Sequence, residues 1–282
     1  MEDLLGIIPA AAEDRYEGER MMHAEYNIAE QMIVSAAREI RDGDIIYAGV
    51  GMPNVAVLLA KFSHAPNATV FYETGIIRTD PCILGLGVDT LPTQYMSDKL
   101  TDVLYINSLA QRGFFTLGFL GGGQIDRHGN VNTNCTGPYT NPTLRFPGSG
   151  GGCDIASLCR NVIVVIDQKK YRFPERVDFV SGPGYLDGKP ESRERAGLMP
   201  GTGPRKVVTN LGIYSFVEGE MVLDSIHSRA GVSLEDIRSN TGWDIKVSEE
   251  LQETVPPTQE ELRLLRKKVD PDGKFIREKL VL

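Results

Sequence analysis

The sequence predicts an α/β protein, an open and mostly parallel sheet with helices on both faces. Two patterns carry this expectation. Residues 45–72 read as strand, glycine turn, helix and strand, a unit that implies a right-handed crossover between parallel strands. Asn161-Val162-Ile163-Val164-Val165-Ile166 is a nearly continuous β-branched run, as expected for a strand covered on both faces. With 282 residues, 41% of them hydrophobic and 24% charged, the composition is that of an ordinary globular protein. That length suffices for a large core without disulfides or metal as staples.

The elements follow in order. Residues 1–25 read as a polar lead-in, and residues 26–282 as a single domain with no internal repeat or linker. Between Tyr26 and Ile40 apolar side chains recur at helical spacing until Asp42-Gly43-Asp44 ends the helix. Ile45–Ala48 is a short buried strand running into Gly49-Val50-Gly51-Met52-Pro53, with Pro53 suited to the first turn of a helix reaching Phe62. Thr69–Tyr72 is the next strand and leads into Glu73-Thr74-Gly75. Further strands are expected at 103–107, 115–120 and 162–166, with shorter ones at 177–180, 206–209 and 221–223. Ser233 caps a helix with Asp236 as a weak capping-box partner, and an amphipathic helix is expected from about Thr258 to Lys268.

The balance of 30 basic against 38 acidic residues, a formal charge of −8, argues against nucleic acid and against an anionic membrane surface as partners. No apolar run approaches the roughly 20 residues of a membrane helix. The N-terminus lacks the basic-then-apolar layout of a secretory signal, so a cytoplasmic location is expected. The four cysteines (Cys82, Cys135, Cys153 and Cys159) lack paired metal-ligand spacing, which favours reduced, buried thiols and no metal site.

The 30 glycines exceed the usual share of about 7% and cluster at 118–123 and 148–152. Gly49-Val50-Gly51 fails the dinucleotide fingerprint because Asn54 stands at the third glycine, and no Gly-Lys-Ser/Thr follows for a Walker loop. What remains is a tight turn at a helix entrance, either a plain connection or a holder for an anion or a polarised carbonyl. Glu73 leaves the same sheet edge and reads as nucleophile, base, metal ligand or solvated charge. Gly148–Asp154 places several consecutive N–H groups before another helix, a nest for negative charge. Gly121–Asn132 turns at His128-Gly129-Asn130 and reads mostly as a tight connection with an exposed, idle histidine. Arg78, Arg145 and Arg172 read as ordinary surface or ion-pair arginines, with substrate steering as the alternative.

In this order the motifs G-x-G-M-P, E-T-G, G-G-G-Q-I-D-x-x-G-N-V-N, G-S-G-G-G-C-D-I-A and T-G-W-D resemble the β subunits of the family I coenzyme A transferases. The E-T-G triplet is nearer the glutaconate branch than the 3-oxoacid branch, and the likeness spans about residues 26–270. It implies a CoA-transferase-like fold, Glu73 as catalytic nucleophile, and Gly150 and Gly151 as backbone donors to the thioester oxygen. It also places Gly49 and Gly51 beside the reacting centre. It implies a separate α-type subunit in a hetero-oligomer, acyl-CoA and a carboxylic acid as substrates, and no cofactor, coenzyme A being a substrate.

A carboxylate needs no base to attack a thioester but is a weak nucleophile, so the carbonyl must be polarised. Attack would form a Glu73–acyl anhydride and CoA thiolate. Return of the thiolate to the glutamyl carbonyl would leave a Glu73–CoA thioester, which an acceptor acid resolves by the reverse steps. Two alternatives remain: an acyl-CoA hydrolase or decarboxylase with Glu73 as general base, and a non-catalytic subunit that binds CoA or supports a partner.

Overall fold

The computed structural model describes residues 26–49, 51–80 and 83–277, so the lead-in and Cys82 lie outside the described residues. Ten strands form one sheet: β1 (Ile45–Ala48), β2 (Thr69–Phe71), β3 (Ile76–Arg78), β4 (Lys99–Leu100), β5 (Leu117–Leu120), β10 (Asn161–Val165), β11 (Gly203–Val208), β12 (Gly212–Val217), β13 (Glu220–Ile226) and β14 (Lys246–Glu253). Two small hairpins, β6 (Gln124–Ile125) with β7 (Val131–Asn132) and β8 (Cys135–Thr136) with β9 (Leu144–Arg145), lie outside it. The order is β14-β13-β12-β11-β10-β5-β1-β2-β3-β4. The central strands β11, β10, β5, β1 and β2 are all parallel, whereas β3, β4, β12 and β13 enter by antiparallel pairing. The sheet is therefore mixed, with a parallel centre and one more parallel pair, β13 with β14, at its edge.

Alternating side chains on these strands build two cores. Ile46, Val70, Phe119, Ile163 and Val208 pack on one side with helices α1 (Ile28–Arg38) and α2 (Met52–Phe62). Tyr47, Phe71, Leu120, Val164 and Val207 face the other side. There they meet helix α4 (Val103–Gln111), which follows the short α3 (Leu91–Gln94), and helix α5 (Gly152–Leu158). A residue spacing of two thus sends successive strand residues to opposite layers, and helices cover both faces. α1 begins at a capping box in which Asn27 and Glu30 satisfy each other's backbone N–H, and Arg266 binds the same buried Glu30.

α5 sits against β5 because Gly118 offers no side chain. A Cβ there would lie 2.6 Å from Ile155 Cγ2 and 3.0 Å from Cys159 Sγ. As in any crossover between parallel strands, this aims the amino end of α5 at the carboxyl edge of the sheet.

Several expectations need correction. Residues 103–107 are not a strand but the start of α4, capped by the Asp102 side chain, which accepts from Tyr105 N at 2.8 Å. Residues 177–180 form no ladder; Val177 N and Asp178 N donate instead to Asp126 and Gln124. After the short α6 (Ser192–Arg195) and α7 (Leu234–Ser239), the last helix α8 covers Gln259–Leu264, and Leu265–Val269 continue as a π-helical turn. The Ser233–Asp236 and Thr258–Glu261 pairs are full capping boxes. Among the described residues, no helix is long and apolar enough to cross a membrane.

Candidate active site

Glu73 sits in the hairpin turn that joins β2 to β3, a tighter device than a plain strand end. Gly75 N donates to Tyr72 O at 3.0 Å and Tyr72 N donates to Ile76 O at 2.9 Å. Gly75 adopts φ +102° and lies so close to the Thr101 backbone that any side chain would collide. Thr74 Oγ1 donates to Val88 O at 2.6 Å, so the loop ahead of α3 also braces the turn.

On the helical side beneath α2, Tyr72 is 2% exposed, and its hydroxyl donates to Asn54 Oδ1 at 2.6 Å. Asn54 in turn donates to Gly85 O at 3.2 Å, and burial pushes the Tyr72 phenol up to about 12, so it stays a proton donor at neutral pH. This buried pair explains the polar residue found where a dinucleotide turn would carry glycine. Spacing alone gave no sign that it grips the residue before Glu73.

Glu73 points to the opposite layer and is half-buried. Gly151 N donates to its Oε2, and a Cβ on Gly150 would lie 3.2 Å from Oε1. Gly151 caps α5 with φ −74° and ψ 0°, so its N–H faces the carboxylate at a helix entrance, where the peptide dipoles favour negative charge. Beneath lies Tyr47, fully buried, its hydroxyl donating to Asn107 Oδ1 at 3.0 Å. Its phenol is pushed well up, chiefly by burial and then by the charges of Glu73 and Asp154. Tyr47 and Asp154 are neighbours of the site that the sequence reading missed.

The structure thus brings Glu73, Gly150 and Gly151 together. Gly49 and Gly51 lie on the adjoining turn, at the carboxyl end of β1 next to β2, but show no contact with the carboxylate. Gly49 N donates to Phe119 O at 2.8 Å, and a Cβ there would sit 3.0 Å from that oxygen. Gly51 caps α2 with φ +82°.

Other sequence candidates take structural places. Arg78 is 1% exposed and not a surface arginine; its guanidinium donates to the carbonyls of Pro92 and Thr93. Arg145 is exposed and lies over the Tyr139 ring; Arg172 lies 5.9 Å from the Tyr171 ring centre. His128 is partly buried, and its Nδ1 is bonded to Gly219 O, so it is not fully exposed and takes a structural place. Asp126 and Asn130 tie the tight connection from within. Cys135 and Cys159 are buried free thiols, whereas Cys153 on α5 is exposed.

Known proteins share this arrangement of elements. The Coenzyme A transferase family profile matches residues 29–240, three quarters of the chain. The chain belongs to the coenzyme A transferase family. It is 34% identical to the B-type subunit of 3-oxoadipate CoA-transferase of Pseudomonas knackmussii over 244 residues, 86% of this chain and 92% of the relative. It is also 34% identical to the B-type subunit of glutaconate CoA-transferase of Acidaminococcus fermentans over 263 residues, 90% of this chain and 96% of the relative. The crystal structure of that glutaconate coenzyme A-transferase superposes with a TM-score of 0.84 at 31% identity, covering 90% of this chain and 99% of the other. A cholesterol ring-cleaving hydrolase IpdB subunit of Mycobacterium tuberculosis is 27% identical over 259 residues, 89% of this chain and 97% of the relative. Within the coenzyme A transferase family, the chain is of the β-subunit type and is an enzyme of CoA transfer.

Proposed function

We propose that this chain is the β subunit of an acyl-CoA:carboxylate CoA-transferase acting on a dicarboxylic, glutaconate-like acyl-CoA, with Glu73 as the covalent nucleophile. The observation that carries the reading is the Glu73 carboxylate held on a rigid hairpin turn against the Gly150-Gly151 entrance of α5. Both 34%-identical relatives bear the names of dicarboxylic acids, which supports the substrate class. Both are also named as one subunit of a larger enzyme, which supports a separate α-type partner and a hetero-oligomer. Exposed Leu91, Tyr95, Met96, Leu100 and Leu104, on the segment that follows the Glu73 hairpin, offer that partner an apolar surface. Such a partner would complete a water-excluding site around a carboxylate this chain leaves half-open.

The geometry refines the chemistry. Glu73 Oε2 already accepts from Gly151 N, so this amide serves the glutamyl group before any thioester arrives. In the first step Glu73 attacks the acyl carbonyl, the C–S bond breaks, and CoA leaves as thiolate. In the second, the thiolate attacks the glutamyl carbonyl of the anhydride, and negative charge develops on the Glu73 oxygen that Gly151 N faces. The donor acid leaves as its carboxylate, and a Glu73–CoA thioester remains. Gly151 N–H is thus an oxyanion donor for the glutamyl centre, a type of contact whose loss costs about 100–1000-fold in rate.

The hydrolase relative keeps a second reading in view, in which Glu73 is a general base for water. An assay of acetyl-CoA and free CoA formed from glutaconyl-CoA by the assembled enzyme, with and without acetate, separates the two. Transfer predicts acetate-dependent formation of acetyl-CoA, with parallel double-reciprocal lines and no net release of free CoA. Free CoA released with or without acetate, and no acetyl-CoA formed, would establish hydrolysis instead.

A further inference from the structure

Glu73 and Thr74 form the tip of the β2–β3 hairpin, closed behind them by Gly75 N donating to Tyr72 O at 3.0 Å. Among the described residues, neither tip residue makes a main-chain hydrogen bond. Side-chain contacts therefore hold the tip: Gly151 N donates to Glu73 Oε2, and Thr74 Oγ1 donates to Val88 O at 2.6 Å. The first contact weakens once the carboxylate reacts, because Glu73 loses its charge on becoming an acyl anhydride and then a thioester. The second involves no reacting atom and can persist through every step.

Val88 is a firm anchor. Its side chain packs against the core beneath α1 and α2, and Thr93 Oγ1 donates to the carbonyl of the preceding Gly87 at 2.7 Å. Thr93 is 1% exposed and sits over Gly85, where a Cβ would overlap its hydroxyl. Gly85 O accepts from Asn54, the residue that grips Tyr72. Arg78, on β3, donates to the carbonyls of Pro92 and Thr93. Residues 85–93 thus hold the hairpin before Glu73 through Asn54 and Tyr72, after it at Thr74, and again at Arg78.

Tyr72 and Arg78 are buried and fasten the strands, whereas Thr74 acts at the tip itself. Thr74 is exposed, so its hydroxyl can bond water in place of Val88 O, and the net worth of such a bond to folding is small. Its worth to the chemistry is larger, since it fixes the backbone beside the residue that must meet a thioester carbon in line.

We infer that Thr74 is a positioning residue for the covalent chemistry: its hydroxyl, anchored on Val88 O, keeps the hairpin tip in place so that the Glu73 carboxyl group stays against Gly151 while the anhydride and thioester form and decay. The inference rests on the reading of Glu73 as nucleophile. It gives the middle residue of the E-T-G triplet a task that needs a hydroxyl and that the chemistry at Glu73 alone does not explain.

Thr74→Val removes the hydroxyl and keeps the shape of the side chain, while Thr74→Ser keeps the hydroxyl and removes the methyl group. Each assembled enzyme is assayed for acetyl-CoA formed from glutaconyl-CoA and acetate, for the borohydride-trapped Glu73 adduct, and for its melting midpoint. In Thr74→Val, kcat and kcat/KM for the acyl-CoA should fall together by about tenfold or more, the mark of a misplaced nucleophile rather than of weakened binding. Adduct formation should slow by the same factor with the melting midpoint unchanged, and Thr74→Ser should keep the parental rate. Thr74→Ala, which removes the same hydroxyl, decides the matter if Thr74→Val does not fold. An adduct forming at the parental rate without the hydroxyl, or an equal loss in Thr74→Ser, overturns the inference alone. A parent enzyme that turns over with Glu73 never modified removes the nucleophile reading and the inference with it.

Discussion

Replacing Gly151 by alanine isolates the Glu73 contact from the stability of the fold. At φ −74° and ψ 0° the backbone accepts an L residue without strain. Alanine there also narrows the unfolded ensemble, an effect worth about 0.4–1 kcal/mol in favour of folding. The obstacle is Glu73 itself. A Cβ on residue 151 would lie 3.0 Å from Glu73 Cβ and 3.1 Å from its Cδ, and would overlap Oε2. Carbon atoms settle at about 3.5–4.0 Å, so the glutamate must retreat by about half an ångström at its stem and further at the carboxylate. A displacement near 1 Å at a reacting group costs about 100-fold, or about 2.7 kcal/mol in the barrier. Gly152→Ala is the matched control, since a Cβ there meets nothing within 4 Å and Gly152 N is engaged by Ser149 O. Acetate-dependent acetyl-CoA formation and thermal melting should show Gly151→Ala folded as stably as the parent but about 100-fold slower, and Gly152→Ala close to the parent in both. Full turnover in Gly151→Ala, or an equal loss in Gly152→Ala, would refute the reasoning.

Other outcomes follow from the same geometry. Glu73→Asp shortens the side chain by one methylene and withdraws the carboxylate from Gly151, so transfer should fall by about 100-fold or more, with slow acceptor-independent CoA release left over; parental transfer rates in Glu73→Asp would contradict the positioning argument. Tyr72→Phe strands the Asn54 side-chain oxygen and should lower stability by about 1–3 kcal/mol in denaturant titration; an unchanged midpoint would show that the pair contributes nothing to stability. His227, 1% exposed between Thr209 O and the Thr254 hydroxyl, is pushed down to about 4 by burial. Because the unfolded chain binds its proton at higher pH than the folded one, stability is full above about 6.5 and falls as pH drops towards 4, by about 3 kcal/mol in all. Melting followed across this window should lose most of that slope in His227→Gln, and an identical slope would place the acid sensitivity elsewhere.

Much of the parallel centre was legible because its signals are local. The Ile45–Phe71 unit and the Asn161–Val165 run carry burial in their own composition, the first and last helices show in the spacing of their apolar side chains, and Ser233 with Asp236 marks the start of another. Val103-Leu104-Tyr105-Ile106-Asn107 misled because a short apolar run has no period of its own; Asp102 decides it by accepting from Tyr105 N. β14 was hidden because an edge strand with charged, exposed side chains reads as a surface helix or loop. At the site, Glu73 and the 148–152 glycines stood out as sequence, but their meeting depends on α5 lying against Gly118, a tertiary fact. Tyr47, Asn54 and Tyr72 were opaque for a related reason: their side chains act through contacts 18 to 60 positions away. Arg78 was misread because charge alone does not reveal that backbone carbonyls await it in the interior.

Mass analysis of the Glu73 peptide tests the covalent mechanism most directly. The assembled enzyme is incubated with acyl-CoA without acceptor, then reduced with borohydride and digested. A Glu73–CoA thioester should be reduced to the corresponding alcohol, a mass change confined to the peptide bearing residue 73 and abolished in Glu73→Gln. An unaltered Glu73 in an enzyme that is turning over, or the adduct on another residue, would contradict the account.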